Sequence, residues 1–153
     1  MIDLAIHHPP VFWPNLKWTD FADMPNKERV VCVLPVTGFL EVDRDLPLDA
    51  LETVATTLLR DAAESAGFPL LVLPPLRFMP GPAGSGAFAP GVPLAHRLIE
   101  ELAAGVGRSG FGKLVLFNAC RENEPLIDAA ARDIRISHGL QMFCLNLGGL
   151  GLS

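Results

Sequence analysis

The sequence predicts an α/β domain: a three-layer α/β/α arrangement around a mostly parallel sheet. Four short, nearly continuous apolar runs, Val30–Leu34, Leu70–Leu73, Lys113–Phe117 and Gln141–Leu147, read as strands buried on both faces. Between them lie longer segments with apolar residues at spacings of three and four, the period of a helix with one buried stripe. The 153 residues suffice for one core without disulfide or metal support. The expectation is therefore one domain over 1–153, with residues 1–28 forming an N-terminal arm and a short helix.

Each element has its own justification. The first helix is expected from Asp49 to Ala66, because Leu51, Val54, Ala55, Leu58, Leu59, Ala62, Ala63 and Ala66 fall on one stripe, and Gly67 stands where a C-terminal cap would. A second stripe runs through Leu94, Leu98, Ile99, Leu102 and Val106 and stops near Gly107 and Gly110. The third helix is expected after Asn123 as N-cap, with Pro125 in its first turn, through Leu126, Ile127, Ala130, Ala131 and Ile134, ending before Gly139. Strand–helix alternation implies a parallel sheet with right-handed crossovers.

Ligand sites in such sheets lie beyond the carboxyl ends of the strands. That selects three loops: "PVTGFLEVDRDLPLD", "PPLRFMPGPAGSGAFAPGVP" and "NACREN". The middle one, rich in Pro, Gly and Ala, is expected to be irregular.

Composition narrows the function. Half the residues are apolar and 19% are charged, against about 25% in typical domains, so a buried partner surface is expected. A net charge of −5 without a basic block removes the footprint of a nucleic-acid binder or a polybasic membrane anchor. No nucleic-acid or membrane partner is expected. The apolar runs are too short to span a bilayer, no leader pattern opens the chain, and Cys32, Cys120 and Cys144 are odd in number and unclustered. These features fit a soluble protein of the reducing cytoplasm.

A set of motifs then points to one family. Trp18 to Asp20 forms a "W-x-D"; a strand ends in Pro35-Val36; "LPL" at Leu46–Leu48 leads into a long helix; "LPPL" follows at Leu73–Leu76 and "PG" at Pro90-Gly91. Gly110-Phe111 precedes a strand that ends at Asn118, with Asn123 beyond it. In this order and spacing the chain resembles the creatininase (creatinine amidohydrolase) family from about Leu16 to Leu147. The resemblance implies a creatininase-like fold, an oligomer, and metal-dependent amide hydrolysis in which a pair of divalent ions activates water.

The resemblance implies that most of the family's metal-ligand positions have lost their ligands here. Anchoring on Pro35 and Leu46–Leu48 puts Leu40 at the family's Glu, Val42 at its first His and Leu51 at its Asp. Cys120 falls where the third-strand motif has His, Glu122 matches the Glu of the creatininase-like version, and Gly86 stands near another family His. A one-residue slide would instead offer Glu41, Asp43 and Glu52, and a gap would offer Asp49; Glu41, Asp43, Arg44 and Asp45 otherwise read as a solvated acidic loop. Members of the family also extend well past the last strand, with a region that supplies a His/Glu-bearing lid, which is expected to be absent.

The leading expectation is a non-catalytic subunit, a pseudoenzyme that binds no cofactor. Its partner would be another copy or a full-length creatininase-like catalytic subunit. The alternatives are an amidohydrolase using Zn or Mn through Glu122, Cys120, Glu41, Asp43 and Asp49, and a small-molecule binding module. Cys120 as a nucleophile needs a base such as His96 or His138 and a lowered pKa. The plainer readings are an inert Cys120, a His138 at a helix end, and His7 and His8 in a terminal arm. The "GLGLS" end lacks the helix a phosphate loop requires, and Trp13 and Trp18 are expected to cover the core or contact a subunit.

Overall fold

A computed structural model of the chain describes residues 11–38, 44–80 and 89–150. Its strands are β1 (Val11–Phe12), β2 (Val31–Val36), β3 (Leu70–Val72), β4 (Lys113–Asn118) and β5 (Gln141–Asn146). The helices are α1 (Trp18–Ala22), α2 (Ala50–Ser65), α3 (Val92–Arg108) and α4 (Glu124–His138). The five strands form one sheet in the order β1-β3-β2-β4-β5, and every pair is parallel.

Alternation along each strand divides the core between two faces. Cys32, Leu34 and Val36 of β2, Leu71 of β3, Leu114 and Leu116 of β4 and Met142 of β5 meet Ile99 and Ala103 of α3 and Ile127 and Ile134 of α4. On the other face Val33, Val72 and Phe117 pack against Ala55 and Leu59 of α2. Helices therefore lie on both sides, the expected three layers.

The boundaries differ from the sequence expectation in ways that hydrogen bonding explains. β2 continues through Pro35 to Val36, although a central strand disfavours proline. Neighbouring β3 has ended at Val72, and the Pro35 carbonyl accepts from the Leu76 N–H at 2.8 Å. The missing Pro35 N–H thus faces a stretch with no regular ladder to donate to. β1 was invisible in the sequence, within what reads as an arm; two residues before a Trp-Pro turn carry no period, yet Val11 and Phe12 pair with Leu71 and Val72.

The caps divide. Gly139 ends α4 in the left-handed region at φ 63°, as its position implies. Gly67 does not cap α2: Ala66 already turns the chain into extended backbone. Asn123 lies in a 3-10 turn, Arg121–Asn123, and its side chain makes no capping bond.

Burial on both faces also fails for β5, where Phe143 and Leu145 are 47% and 44% exposed. Among the described residues α2 covers the other half of that face. Near the amino end, Phe21 of α1 stacks on Phe111 at 5.8 Å and meets Trp13 edge-on at 6.2 Å, with the Lys27 ammonium 5.2 Å from the Phe21 ring. Phe21 thus covers the core, whereas Trp13 and, more fully, Trp18 are exposed.

Candidate functional site

The connections fix where a site can form. From β2 the chain passes through α2 on one face to β3, and from β4 it passes through α4 on the opposite face to β5. The carboxyl ends of β2 and β4, which are neighbours, are therefore the switch point of the sheet.

At that point β4 ends in buried Asn118, in register with Val36 of β2 and Asn146 of β5. The Asn118 amide nitrogen donates to the Cys120 carbonyl at 2.7 Å and to Asn146 Oδ1 at 3.0 Å, and its Oδ1 accepts the Cys120 N–H at 3.1 Å. Every strong valence of this side chain but one is thus used to hold the turn. Thr37, also buried, donates from its hydroxyl and its N–H to the Leu76 carbonyl, at 3.2 and 2.8 Å.

The Cys120 thiol is buried and donates to Glu122 Oε2 at 3.1 Å. Burial, and then the hydrogen bond to the Glu122 carboxylate, push the thiol up to about 11. A group so held stays protonated at neutral pH, the opposite of an activated nucleophile. Burial alone pushes Cys32 to about 12, and burial followed by the Asp128 charge raises Cys144. All three thiols are free.

The remaining expected residues are not gathered at this corner. Leu51 packs into the apolar cluster under α2, Asp49 precedes α2 and is exposed, and Glu52 accepts from Arg77 at 2.7 and 2.9 Å. That pair raises the Arg77 guanidinium further. Leu40, Glu41, Val42, Asp43, Gly86, His7 and His8 lie outside the described residues.

One recess adjoins the corner and a second lies between α1 and α3. The first, of about 370 Å³, is lined by Glu122, Asn123, Leu126, Val92 and His96 near the amino ends of α3 and α4. Asn123 is buried, and its Nδ2 has no hydrogen-bond partner. The other, of about 420 Å³, is walled by apolar side chains, among them Phe21, Leu34, Leu73, Leu102 and Phe111.

Sequence reasoning raised His96 as a base for Cys120 and missed its actual neighbours. One ring nitrogen of His96 faces Asp133 Oδ2 at 3.0 Å and the other faces Glu100 Oε2 at 3.5 Å. The four-residue spacing of His96 and Glu100 was a readable signal, but Asp133 comes from another helix and gave none. His138 closes the last turn of α4.

Comparison with known proteins decides the relationship. The family model "Creatininase: Creatinine amidohydrolase" matches residues 14–149. The chain belongs to the creatininase family. No curated protein sequence matches it. Among solved structures, a creatinine amidohydrolase (creatininase) aligns with TM-score 0.75 and 22% identity, covering 90% of this chain and 57% of that one. A Mn creatininase aligns with TM-score 0.72 and 22% identity over 90% of this chain and 58% of that one. A mutant creatininase of Zn-Zn type aligns with TM-score 0.75 and 20% identity over 94% and 60%.

The creatininase resemblance expected from the motifs is thereby confirmed, as is the α/β fold. This family member spans less than two thirds of the length of these solved structures. No helix among its described residues is long and apolar enough to cross a membrane.

Proposed function

We propose that this creatininase-family chain is non-catalytic and acts as a structural or regulatory subunit, paired with another copy or with a full-length catalytic relative in the cytoplasm. One observation carries the reading. Where the family motif places a metal-ligating His, this chain has a protonated thiol that satisfies the neighbouring carboxylate, Cys120 to Glu122 at 3.1 Å.

A divalent centre needs several deprotonated donors around one open position. Leu51 lies in an apolar cluster, Glu52 is engaged by Arg77, and among the described residues no group of three metal-capable side chains includes Cys120 or Glu122. Among the described residues, the donors at the strand ends do not make up a set that would hold a Zn or Mn ion. The half-exposed Phe143 and Leu145 on edge strand β5 supply apolar surface for a partner.

The test is an assay of cyclic and linear amide hydrolysis with added Zn²⁺ or Mn²⁺, run beside Glu122→Gln. No turnover in either protein is the expected result. Metal-dependent turnover that Glu122→Gln abolishes would establish the amidohydrolase alternative, with Glu41 and Asp43 as its further donors.

A second reading, small-molecule binding, is favoured by the unpartnered Asn123 Nδ2 on the wall of the 370 Å³ recess. A buried donor without an acceptor is costly, and a ligand carbonyl would relieve it. A metabolite screen by thermal shift tests this: a hit that Asn123→Ala eliminates is expected, and hits indifferent to Asn123→Ala would refute it.

A further inference from the structure

Away from the strand ends, α3 and α4 bring together three side chains whose chemistry nothing above uses. His96 and Glu100 stand one turn apart on α3 and so share a face. Asp133 of α4 meets that face across the helix–helix contact. The side chains are 25%, 30% and 50% exposed, so an ion can reach them. One donor atom from each lies within 4.8 Å of the other two.

We propose that His96, Glu100 and Asp133 form a divalent-cation site, matched to Zn²⁺, that ties α3 to α4. One imidazole nitrogen and two carboxylate oxygens are the donor types a borderline ion such as Zn²⁺ accepts. Ligands about 2.0–2.1 Å from a tetrahedral ion stand about 3.3 Å from one another. His96 Nε2 and Asp133 Oδ2 are already 3.0 Å apart. Only Glu100, whose carboxylate now faces the other ring nitrogen at 3.5 Å, must swing about its side-chain torsions to complete the set.

A 2+ ion neutralises two carboxylates that otherwise share a single imidazole. Three protein ligands leave a fourth position for water or a ligand donor. His96 belongs both to this cluster and to the wall of the 370 Å³ recess, so the ion would fix one side of that recess. Its three ligands are distinct from Cys120 and Glu122 of the strand-end corner, and the site does not depend on the function proposed above.

The experiment uses the full chain, stripped of metal with chelator and titrated with Zn²⁺ by calorimetry, with thermal unfolding followed in parallel. Uptake of one equivalent is expected, with a rise in Tm on the order of 5 °C at ion concentrations far above Kd. His96→Gln and Asp133→Asn, both at partly exposed positions, should each weaken uptake at least about tenfold while circular dichroism stays unchanged. Mn²⁺ should bind more weakly than Zn²⁺. No uptake by the unmodified chain, or uptake that both substitutions leave intact, would overturn the site. Uptake abolished by Glu122→Gln instead would put the ion at the strand ends and overturn this inference and the non-catalytic reading together.

Discussion

Asn118 and Asn146 touch side chain to side chain, amide nitrogen to amide oxygen at 3.0 Å, at the carboxyl ends of adjacent strands β4 and β5. The same Asn118 amide also closes the turn that carries Cys120. Truncating it would leave the Cys120 N–H and the Asn146 oxygen without this partner, while the Cys120 carbonyl would keep only the Asn123 N–H at 3.1 Å. Asn118→Ala is expected to lower stability by about 3 kcal/mol, and Asn146→Ala, at a half-buried position, by about 1 kcal/mol. Urea midpoints compare the two, and equal losses would contradict the central role given to Asn118.

The paired thiol gives a chemical prediction. Burial and the Glu122 carboxylate both hold Cys120 protonated, so alkylation of the native protein at pH 8 should be slow. Glu122→Gln removes the charge and the charged acceptor, which lowers the thiol pKa and should speed alkylation of Cys120 severalfold. Mass spectrometry of the modified peptide reads the rate, and an unchanged rate would mean that Glu122 does not control this thiol.

Alkaline stability follows from the same shifts. Cys32 and Cys120 sit above their ordinary value of 9.0, at about 12 and about 11. Above pH 9 the unfolded chain releases these protons first, so the stability they lend is complete below pH 9 and is lost as pH climbs toward 11–12. Cys32→Ala should flatten the decline of stability between pH 9 and 11, measured by denaturant titrations at fixed pH.

The core predicts large local costs. Ile127 of α4 is fully buried against the sheet in the main cluster. Ile127→Ala should destabilise by about 2–5 kcal/mol, the transfer cost of the lost methyl groups plus a cavity that neighbours fill only in part. A loss below 1 kcal/mol in a denaturation experiment would mean that α4 packs more loosely than described.

Two glycines separate cap from spacer. Gly139 occupies the left-handed region, and a Cβ there is strained although no neighbour obstructs it. Gly139→Ala should cost about 1 kcal/mol. Gly67 lies outside that region and also has open space around it, so Gly67→Ala should be neutral or stabilising by up to about 1 kcal/mol. Thermal unfolding should show a lowered Tm for Gly139→Ala and an unchanged or raised one for Gly67→Ala.

The strands and helices were legible because their signal is local. The stripe through Ala55, Leu59 and Ala63 became the buried face of α2, and Leu126, Ile127, Ala130, Ala131 and Ile134 became that of α4. The two-residue strand β1 was not legible, since its identity as a strand consists only of pairing with β3. Nor was the half exposure of β5: Phe143 and Leu145 read as core, and whether a helix lies over them is not written in their own segment.

The candidate site divides in the same way. Adjacency in the chain put Cys120 and Glu122 within reach of each other, and family spacing marked their positions. It also raised Asn123 as a cap, whereas the fold buries its Nδ2 without an acceptor. Joining His96 to Asp133 required two helices to pack side by side.

By itself, the sequence determined the α/β class, the helix and strand periods, the family, and the apolar residues at Leu40, Val42 and Leu51. Those properties are set by neighbours within a few positions or by motifs in order. Only the tertiary structure decided that the Cys120 thiol is buried against Glu122, that Phe143 and Leu145 of β5 stay half exposed, and that His96, Glu100 and Asp133 converge. The physical reason is that burial and side-chain convergence depend on what the rest of the chain brings alongside, over separations that local periodicity does not encode.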